Sequence, residues 1–537
     1  MSESKDDDAR NEDHELVLKR LGEVASTKYP YPIPERVRLE KSQRINLTSR
    51  RNLRPLLSSL FFSTINMACP PLTLLLLVLG WLCTSKVCIA LAVICFFRTL
   101  VDTFVLHYAT DGRHGGLGGG GKCKTTGLPN STAAEGFYCN AKNELNARIR
   151  DRLGRFVNYV PTPYFYSGDL LTLGPFLLFK GSKGGRVGYK RYWVKVPSAP
   201  APDGDGPSKK PPSPGSKDEQ ETDGGEAVAL DIVFPESGYQ PDKPFFLVMH
   251  GLNGGSTEPY VLDLARRAPK EGHTVAVMIN RGLMKTPVQG PDTFHGARTS
   301  DVGCVVDALN HALYGQSRFQ NSSGDSDNEK TKSKIVLVGF SMGGIIVANY
   351  AAKSKENSGL AGALSFSGGI CMAKNLLDCP AARHSASVWQ PALAWGLKAS
   401  IIKPSMAKFV QRGVTVQDVE EVQSVVDIDG KLVCKYHGYK TIYDYYEDMS
   451  AGGLGDEKGL KRLEGTKIPL LSVHAIDDPI SIYETMLADE VSRTDNVMLL
   501  ATKHGGHIGW PNGLFPSENR WDFMINIAME YAFEVAS

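Results

Sequence analysis

The pentapeptide Gly339-Phe340-Ser341-Met342-Gly343 has the residue types and spacing of a turn that exposes a nucleophilic serine. It follows the apolar run 335–338 and precedes residues 344–350, which can form a helix. A strand that turns sharply into a helix holds its serine strained and exposed, and flanking glycines let backbone pass where a Cβ would collide. We therefore predict Ser341 as the nucleophile, the alternative being an ordinary glycine turn.

Serine is a weak nucleophile and needs a carboxylate that orients its base. Residues 468–475 have the pattern of an apolar strand, and two carboxylates, Asp477 and Asp478, follow it. Pro479 comes directly after Asp478 and would fix the turn that aims this carboxylate. We predict Asp478 as the acid, with Asp477 as the alternate.

The histidine base should come last in the chain, on a loop after one more strand. Residues 496–501 form such an apolar run, and His504 and His507 follow it. His507 is the predicted base and His504 the alternate. Either ring could instead be a locally bonded or solvent-exposed loop histidine.

Backbone N–H groups must also stabilise the oxyanion that forms during acyl transfer. The apolar run 244–249 ends in a glycine-rich loop at residues 250–256, which presents free amides. We predict the N–H groups of Leu252 and Met342 as the oxyanion donors. A phosphate-binding loop is disfavoured because no GxGxxG spacing is present there, and this chemistry calls for no cofactor or metal.

From about residue 159 to the C-terminus, the chain resembles the YheT-like branch of the α/β-hydrolase-domain proteins, which are serine esterases and lipases, many with an N-terminal membrane anchor. The resemblance implies an α/β-hydrolase fold and places Ser341, Asp478 and His507 on the family's triad positions. The matching segments, in chain order, are Tyr159-Val160-Pro161-Thr162-Pro163 with Gly168 and Thr172, Leu230-Asp231, His250-Gly251-Leu252, Asn280-Arg281-Gly282, Thr299-Ser300-Asp301, the serine pentapeptide, Asp444-Tyr445-Tyr446, Asp477-Asp478-Pro479 and Gly505-Gly506-His507.

The chain departs from the family pattern at two places. Asp169 and Leu171 stand where the family usually has histidine and glutamine, and Leu283-Met284-Lys285 replaces a small, glycine-rich continuation. The first departure predicts a difference in substrate entry or local packing. The second predicts a difference in fine substrate preference.

Apolar segments alternate with helical stretches through the second half of the chain, which predicts a mostly parallel sheet with the candidate residues at the carboxyl ends of its strands. Residues 374–450 are predicted to be a helical lid, although their apolar side chains could equally pack onto the core. Residues 197–226 and 316–333 are predicted surface insertions. The predicted strands lie near 229–234, 244–249, 274–280, 335–339, 361–367, 468–475 and 496–501.

The N-terminal region divides by composition into a polar and basic arm (1–54), a transmembrane region (55–107) and a flexible glycine-rich linker (108–135), before a hydrolase domain over 136–537. Residues 56–83 carry no charge and are long enough to span a bilayer. Basic residues in the arm favour a cytosolic N-terminus. A single pass and a hairpin of two spans both remain open, and we expect an endomembrane such as the endoplasmic reticulum.

A net charge of +2 with 22% charged residues argues against a nucleic-acid partner. The residues together predict a membrane-anchored serine hydrolase that cleaves carboxylic esters of lipids, such as acylglycerols or phospholipids. The alternatives are an acyltransferase that uses the same acyl-enzyme and a non-catalytic lipid-binding protein of the same fold. The oligomeric state is left open.

Overall fold

The computed structural model describes residues 3–33, 39–49, 51–58, 135–165, 167–179, 186–197, 225–290, 292–315, 334–354 and 359–537. In these residues, ten strands form one sheet in the order β1-β3-β4-β6-β5-β7-β8-β9-β10-β2. The strands are β1 (Ala25–Ser26), β2 (Gly136–Tyr138), β3 (Lys190–Val196), β4 (Glu226–Val233), β5 (Phe245–Met249), β6 (Thr274–Ile279), β7 (Ile335–Phe340), β8 (Gly362–Phe366), β9 (Leu470–Ala475) and β10 (Val497–Thr502).

The central part of the sheet is parallel, as the sequence predicts. Strand β5 pairs in parallel with β6 and β7, and the parallel pairing continues through β8 and β9 to β10. Every residue of β5 to β10 is buried, because helices cover both faces of a parallel sheet. Strand β4 runs antiparallel to both of its neighbours, and β1 and β2 are short antiparallel strands at the two edges.

Helices alternate with the strands and flank the sheet. Outside the lid, they are α1 (Glu3–Val24), α2 (Glu144–Leu153), α3 (Gly168–Leu178), α4 (Pro259–Arg267), α5 (Ser300–Tyr314) and α6 (Met342–Lys353). After the lid come α14 (Glu457–Glu464), α15 (Ala488–Val491), α16 (Pro516–Asn519) and α17 (Asp522–Ala536).

The segment predicted as a lid is helical and lies between β8 and β9. Its helices are α7 (Pro380–His384), α8 (Gln390–Leu397), α9 (Met406–Gln411), α10 (Val416–Glu421), α11 (Val425–Asp427), α12 (Cys434–His437) and α13 (Ile442–Met449), with π-helical turns at Ser385–Trp389, Lys398–Ile402 and Ile428–Val433. A capping box between Thr441 and Asp444 starts α13. This explains Asp444 in the family pattern as a helix-capping residue.

The N-terminal arm is part of the folded domain. Strand β1 pairs with β3 at the sheet edge, and Val17 and Leu21 on α1 are buried. Glu23 of α1 accepts a bond from His311 of α5, with 2.8 Å between Oε2 and Nε2. Sequence composition alone gave this arm no structural role.

No helix among the described residues is both long and apolar enough to cross a bilayer. The predicted transmembrane region (55–107), except for residues 55–58, lies outside the described residues. Almost all of the predicted linker (108–135) and of the insertion 197–226 also lies outside them, as does the whole insertion 316–333.

Candidate active site

Ser341 lies in the turn between β7 and α6, with backbone φ 53° and ψ −119°. This conformation is strained for a residue with a side chain. The neighbouring glycines make it possible: a Cβ at Gly339 would lie 2.3 Å from the carbonyl oxygen of Gly343, and one at Gly343 would lie 2.3 Å from that of Met249. The turn therefore has the geometry that the sequence predicts.

Ser341, His507 and Asp478 form a continuous hydrogen-bonded chain. The Oγ of Ser341 lies 2.7 Å from Nε2 of His507, and Nδ1 of His507 lies 2.7 Å from Oδ2 of Asp478. The Asp478 side chain is fully buried and that of His507 is 9% exposed. Nδ1–H donates to the carboxylate in this arrangement, which leaves Nε2 free to accept the serine proton.

The turn after β9 satisfies the second oxygen of Asp478. Oδ1 accepts hydrogen bonds from the N–H groups of Ile480 and Ser481 at 2.8 and 2.9 Å. Burial by itself would raise the pKa of Asp478, but the attraction of His507 and these hydrogen bonds outweigh burial and hold the pKa below its ordinary value. The carboxyl is therefore an anion at neutral pH.

The alternate residues Asp477 and His504 lie beside this chain and pair with each other. Oδ2 of Asp477 is 3.1 Å from Nδ1 of His504, and Oδ1 accepts the N–H of Gly506 at 2.9 Å. The His504 side chain is 40% exposed, and it pairs with Asp477 and not with Ser341. The geometry thus gives Asp477 the role of holding the histidine loop.

Thr172 lies on helix α3, here called the entry helix, and forms a hydrogen bond with His507. The sequence did not reveal this contact. Oγ1 of Thr172 accepts the N–H of His507 at 2.8 Å and donates to the carbonyl oxygen of Gly168 at 2.6 Å. Both residues belong to the family pattern. Their appearance there was the only sequence signal for this contact.

The loop after β5 presents backbone N–H groups beside Ser341. Gly251 donates its N–H to Oη of Tyr260 at 3.0 Å. In the part of the chain that the structure describes, the N–H groups of Leu252 and Met342 have no hydrogen-bond acceptor. Both residues line the cavity that contains Ser341, so the two predicted oxyanion donors are available there.

His250 fixes this loop as a neutral ring. Its Nδ1 lies 2.8 Å from the carbonyl oxygen of Gly251, and its Nε2 accepts the N–H of Asn280 at 3.3 Å. Complete burial lowers the pKa of His250 to about 4. The neutral ring can donate through Nδ1 and accept through Nε2 at once, which a charged ring could not.

A cavity of about 330 Å³ opens beside Ser341 and His507. This volume lies within the range of small-molecule sites, about 300 to 1,000 Å³. The core supplies one wall and the lid supplies the other. The lid residues in this wall are Asn375, Trp389, Gln390, Leu393, Val425, Val426, Asp429, Tyr446 and Met449.

Asp169, one of the departures from the family pattern, connects the entry helix to the lid. Its Oδ1 accepts the indole N–H of Trp389 at 2.6 Å and lies 3.0 Å from Nε2 of His384. The Asp169 side chain is buried. The predicted difference in local packing thus corresponds to a polar contact between α3 and the lid.

The sequence is similar to known protein families. A family model described as the alpha/beta hydrolase fold matches residues 244–412, which include β5 to β8, the serine turn and half of the lid. The matched part of the chain is therefore similar to proteins of the α/β-hydrolase fold. The candidate site lies at the carboxyl ends of β5, β7, β9 and β10, where ligands bind in open α/β sheets.

Three curated relatives resemble this chain over about half of its length. The phospholipase ABHD3 of Mus musculus is 28% identical over 303 residues, which cover 55% of this chain and 66% of the relative. The monoacylglycerol lipase of Saccharomyces cerevisiae is 25% identical over 288 residues, 51% of this chain and 58% of the relative. The monoacylglycerol lipase ABHD2 of Bos taurus is 25% identical over 312 residues, 54% and 65% respectively. The chain thus spans less than two thirds of each relative.

The described residues do not form a cluster of metal ligands. Among the described residues, no group of three or more His, Cys, Asp or Glu side chains is placed to hold a metal ion. His507 and Asp478 are instead hydrogen-bonded to each other, and His507 also contacts Ser341. The arrangement can support acyl transfer by an activated serine.

Proposed function

We propose that this protein is a serine hydrolase that cleaves carboxylic esters of lipids. The observation that carries the proposal is the chain of two 2.7 Å contacts from Ser341 through His507 to Asp478. Enzymes that use this arrangement activate the serine with the histidine and orient the histidine with the carboxylate. The names of the relatives, a phospholipase and two monoacylglycerol lipases, support a lipid ester as the substrate class.

In the proposed first step, Oγ of Ser341 attacks the ester carbonyl carbon while Nε2 of His507 takes the serine proton. Asp478 stabilises the imidazolium that forms and keeps Nε2 directed at the serine. The C–O bond to the alcohol then breaks, and His507 returns the proton to the leaving oxygen. A water molecule, deprotonated by the same nitrogen, attacks the acyl-enzyme and releases the acid.

The negative charge on the tetrahedral intermediate needs donors that are already in place. The N–H groups of Leu252 and Met342 are proposed for this role because both lie beside Ser341 and have no acceptor among the described groups. Preorganised donors of this kind contribute about 100-fold to 1,000-fold in rate each. The neutral His250 ring helps by holding the loop that carries Leu252.

An apolar cavity suits the acyl chain of a lipid, and the N-terminal segment favours a substrate in a membrane. Leu47 and Asn52 precede the apolar stretch and contact the lid. Nζ of Lys398 donates to Oδ1 of Asn52 at 2.8 Å, and Nε1 of Trp395 lies 3.5 Å from the carbonyl oxygen of Leu47. We propose a membrane anchor within 55–107, as one pass or a hairpin with a cytosolic N-terminus, in an endomembrane. The lid would then lie close to the bilayer.

A fluorophosphonate probe tests the nucleophile without knowledge of the natural substrate. Membranes that contain the wild type, Ser341→Ala or Ser387→Ala are exposed to the probe, and labelling of the full-length chain is measured. Ser387 lies exposed on the lid and serves as the matched control. We expect labelling of the wild type and of Ser387→Ala only.

Two results would contradict the proposal. Labelling that persists in Ser341→Ala would assign the nucleophile elsewhere. Folded wild-type protein that neither reacts with the probe nor hydrolyses short-chain and long-chain lipid esters would favour the lipid-binding alternative.

A further inference from the structure

A buried carboxyl, Asp429, lies in the lid wall of the cavity that contains Ser341. It belongs to the π-helical turn Ile428–Val433 and is 8% exposed. Asp429 lines this cavity and also a smaller one of about 50 Å³, which Leu252 and Met342 line as well. The proposed mechanism gives this carboxyl no role.

Asp429 has one protein partner in the part of the chain that the structure describes. Oη of Tyr446 donates to its Oδ2 at 3.0 Å, and no described Lys or Arg forms an ion pair with it. A carboxylate has about four acceptor positions on its two oxygens. Most of its hydrogen-bonding capacity is therefore unused inside a largely apolar cavity.

Because no cation of the described chain lies nearby, burial of the Asp429 carboxyl lowers the stability of the folded state. Burial raises the pKa of Asp429 to about 7, although the Tyr446 hydrogen bond acts in the opposite direction. A buried polar group that lacks partners destabilises the folded state, and a nonpolar side chain would not. A donor supplied by a ligand would compensate this cost.

Among the residues that the structure describes, the cavity around Ser341 is lined by acidic side chains but by no basic Lys or Arg. Its described lining contains two carboxyl groups, Asp429 and Glu258, and no Lys or Arg. Burial also raises the pKa of Glu258. An anionic group such as a phosphate would find no cation in this lining and would approach two carboxyls.

We propose that Asp429 accepts a hydrogen bond from a free hydroxyl group of an uncharged ester substrate, and that this contact makes the enzyme prefer hydroxyl-bearing esters. The inference rests on the proposed ester hydrolysis at Ser341. A hydroxyl fits better than a cation for two reasons. It costs less to desolvate, and it can donate to the ionised carboxyl or accept from the protonated one.

A series of octanoate esters that differ only in the alcohol tests the proposal. The esters are 2-hydroxyethyl, propyl, choline and 2-phosphoethyl octanoate, in which a hydroxyl, a methyl, a trimethylammonium or a phosphate ends the same short chain. We measure kcat/KM for each ester with the full-length wild type, Asp429→Leu and Asp429→Asn. Fluorophosphonate labelling of each variant verifies that the Ser341 site is intact.

We expect the wild type to prefer the hydroxyethyl ester to the propyl ester by about tenfold or more, since a site built around a substrate hydroxyl rejects the analogue that lacks it. Asp429→Leu should lower the ratio of kcat/KM for the hydroxyethyl ester to that for the propyl ester to about one or below. Asp429→Asn keeps an acceptor oxygen and should retain most of the preference. The 2-phosphoethyl ester should be the poorest substrate of the wild type.

If the wild type has nearly equal kcat/KM for the hydroxyethyl and propyl esters, the proposal is overturned without any variant. It is also overturned if Asp429→Leu leaves the ratio of these two values unchanged. A preference for the choline ester that Asp429→Asn abolishes would assign a cation to this carboxyl and overturn the hydroxyl proposal. If the wild type hydrolyses none of the esters and is not labelled, the proposed ester hydrolysis itself fails. These outcomes separate the two proposals.

Discussion

Gly168 lies directly against the carbonyl oxygen of Asp477, so that a Cβ at position 168 would come within 1.8 Å of that atom. The first residue of the entry helix and the turn that carries both candidate acids are thus in contact through backbone. The same helix holds His507 through Thr172. Because Gly168 has no side chain, α3 can pack directly against the turn at Asp477. This packing sets the position of the acid relative to His507.

Replacing this glycine should disturb the site from outside it. Gly168→Ala must push α3 away from the Asp477 turn, and a displacement of about 1 Å at reacting groups can cost roughly 100-fold in rate. We expect kcat/KM for a short-chain ester to fall by about that factor. Gly154→Ala is the matched control, because a Cβ there meets nothing within 4 Å; equal rates for the two variants would contradict the packing argument.

The two adjacent acids should differ sharply in their effect on rate. Asp478→Asn removes the charge that orients His507 and should lower kcat by about 10,000-fold. Asp477→Asn weakens the contacts to His504 and the Gly506 N–H and should lower kcat by about tenfold. Steady-state kinetics on both variants measure the two values of kcat. A larger loss of kcat in Asp477→Asn than in Asp478→Asn would reverse the assignment of the acid.

Thr172 should act by positioning His507. Thr172→Val removes the acceptor for the His507 N–H while it preserves side-chain shape, so we expect kcat to fall by about tenfold or more. KM for a short ester should change little, because Thr172 holds the base and not the ester. Thr172→Ser keeps the hydroxyl and should restore most of the rate; a serine variant as slow as the valine variant would argue for packing alone.

Acid should destabilise this fold through its buried histidines. Burial lowers the pKa of five of them in the described chain, namely His250, His273, His295, His437 and His474. For His250, the folded pKa of about 4 lies below the unfolded value. Its stabilising contribution is therefore complete above about pH 6.5 and is lost as the pH falls toward the folded pKa.

Each such histidine adds about 1.4 kcal/mol per pH unit to the loss within its window. The midpoint of urea unfolding should thus fall steeply between about pH 6.5 and about pH 5. His250→Gln should reduce the steepness, since glutamine does not titrate. A midpoint that stays constant or rises on acidification would show that these rings are not buried as neutral groups.

The candidate reactive residues were predictable because each follows a recognisable apolar strand in a fixed order along the chain. Ser341, Asp478 and His507 needed only short motifs, and the structure brings all three within hydrogen-bonding distance. The parallel strands were predictable for the same reason, since continuous burial gives continuous apolar runs. The edge strands β1 and β2 were missed, because two or three residues carry no periodic pattern.

Other features depend on tertiary contacts that no local pattern encodes. Asp429 is one acidic residue among many in a helical lid. Only its burial and its position in the cavity wall distinguish it, and neither can be seen in the sequence. Asp169 was visible as a departure from a family pattern, but its partner Trp389 lies 220 residues away. Strand β3 could not be predicted because three of its seven residues are Lys or Arg, as suits a strand near an edge.

The pairing of β1 with β3 has a practical consequence for producing the protein. The sequence places the start of the hydrolase domain at residue 136, and a truncation there would be the obvious route to a soluble enzyme. That truncation would remove β1 from its pairing with β3, and it would remove α1, with its buried Val17 and Leu21, from its packing against α5. An uncovered strand edge recruits other chains. The shortened protein should therefore aggregate, and retaining residues 3–33 joined by a short flexible linker should prevent it.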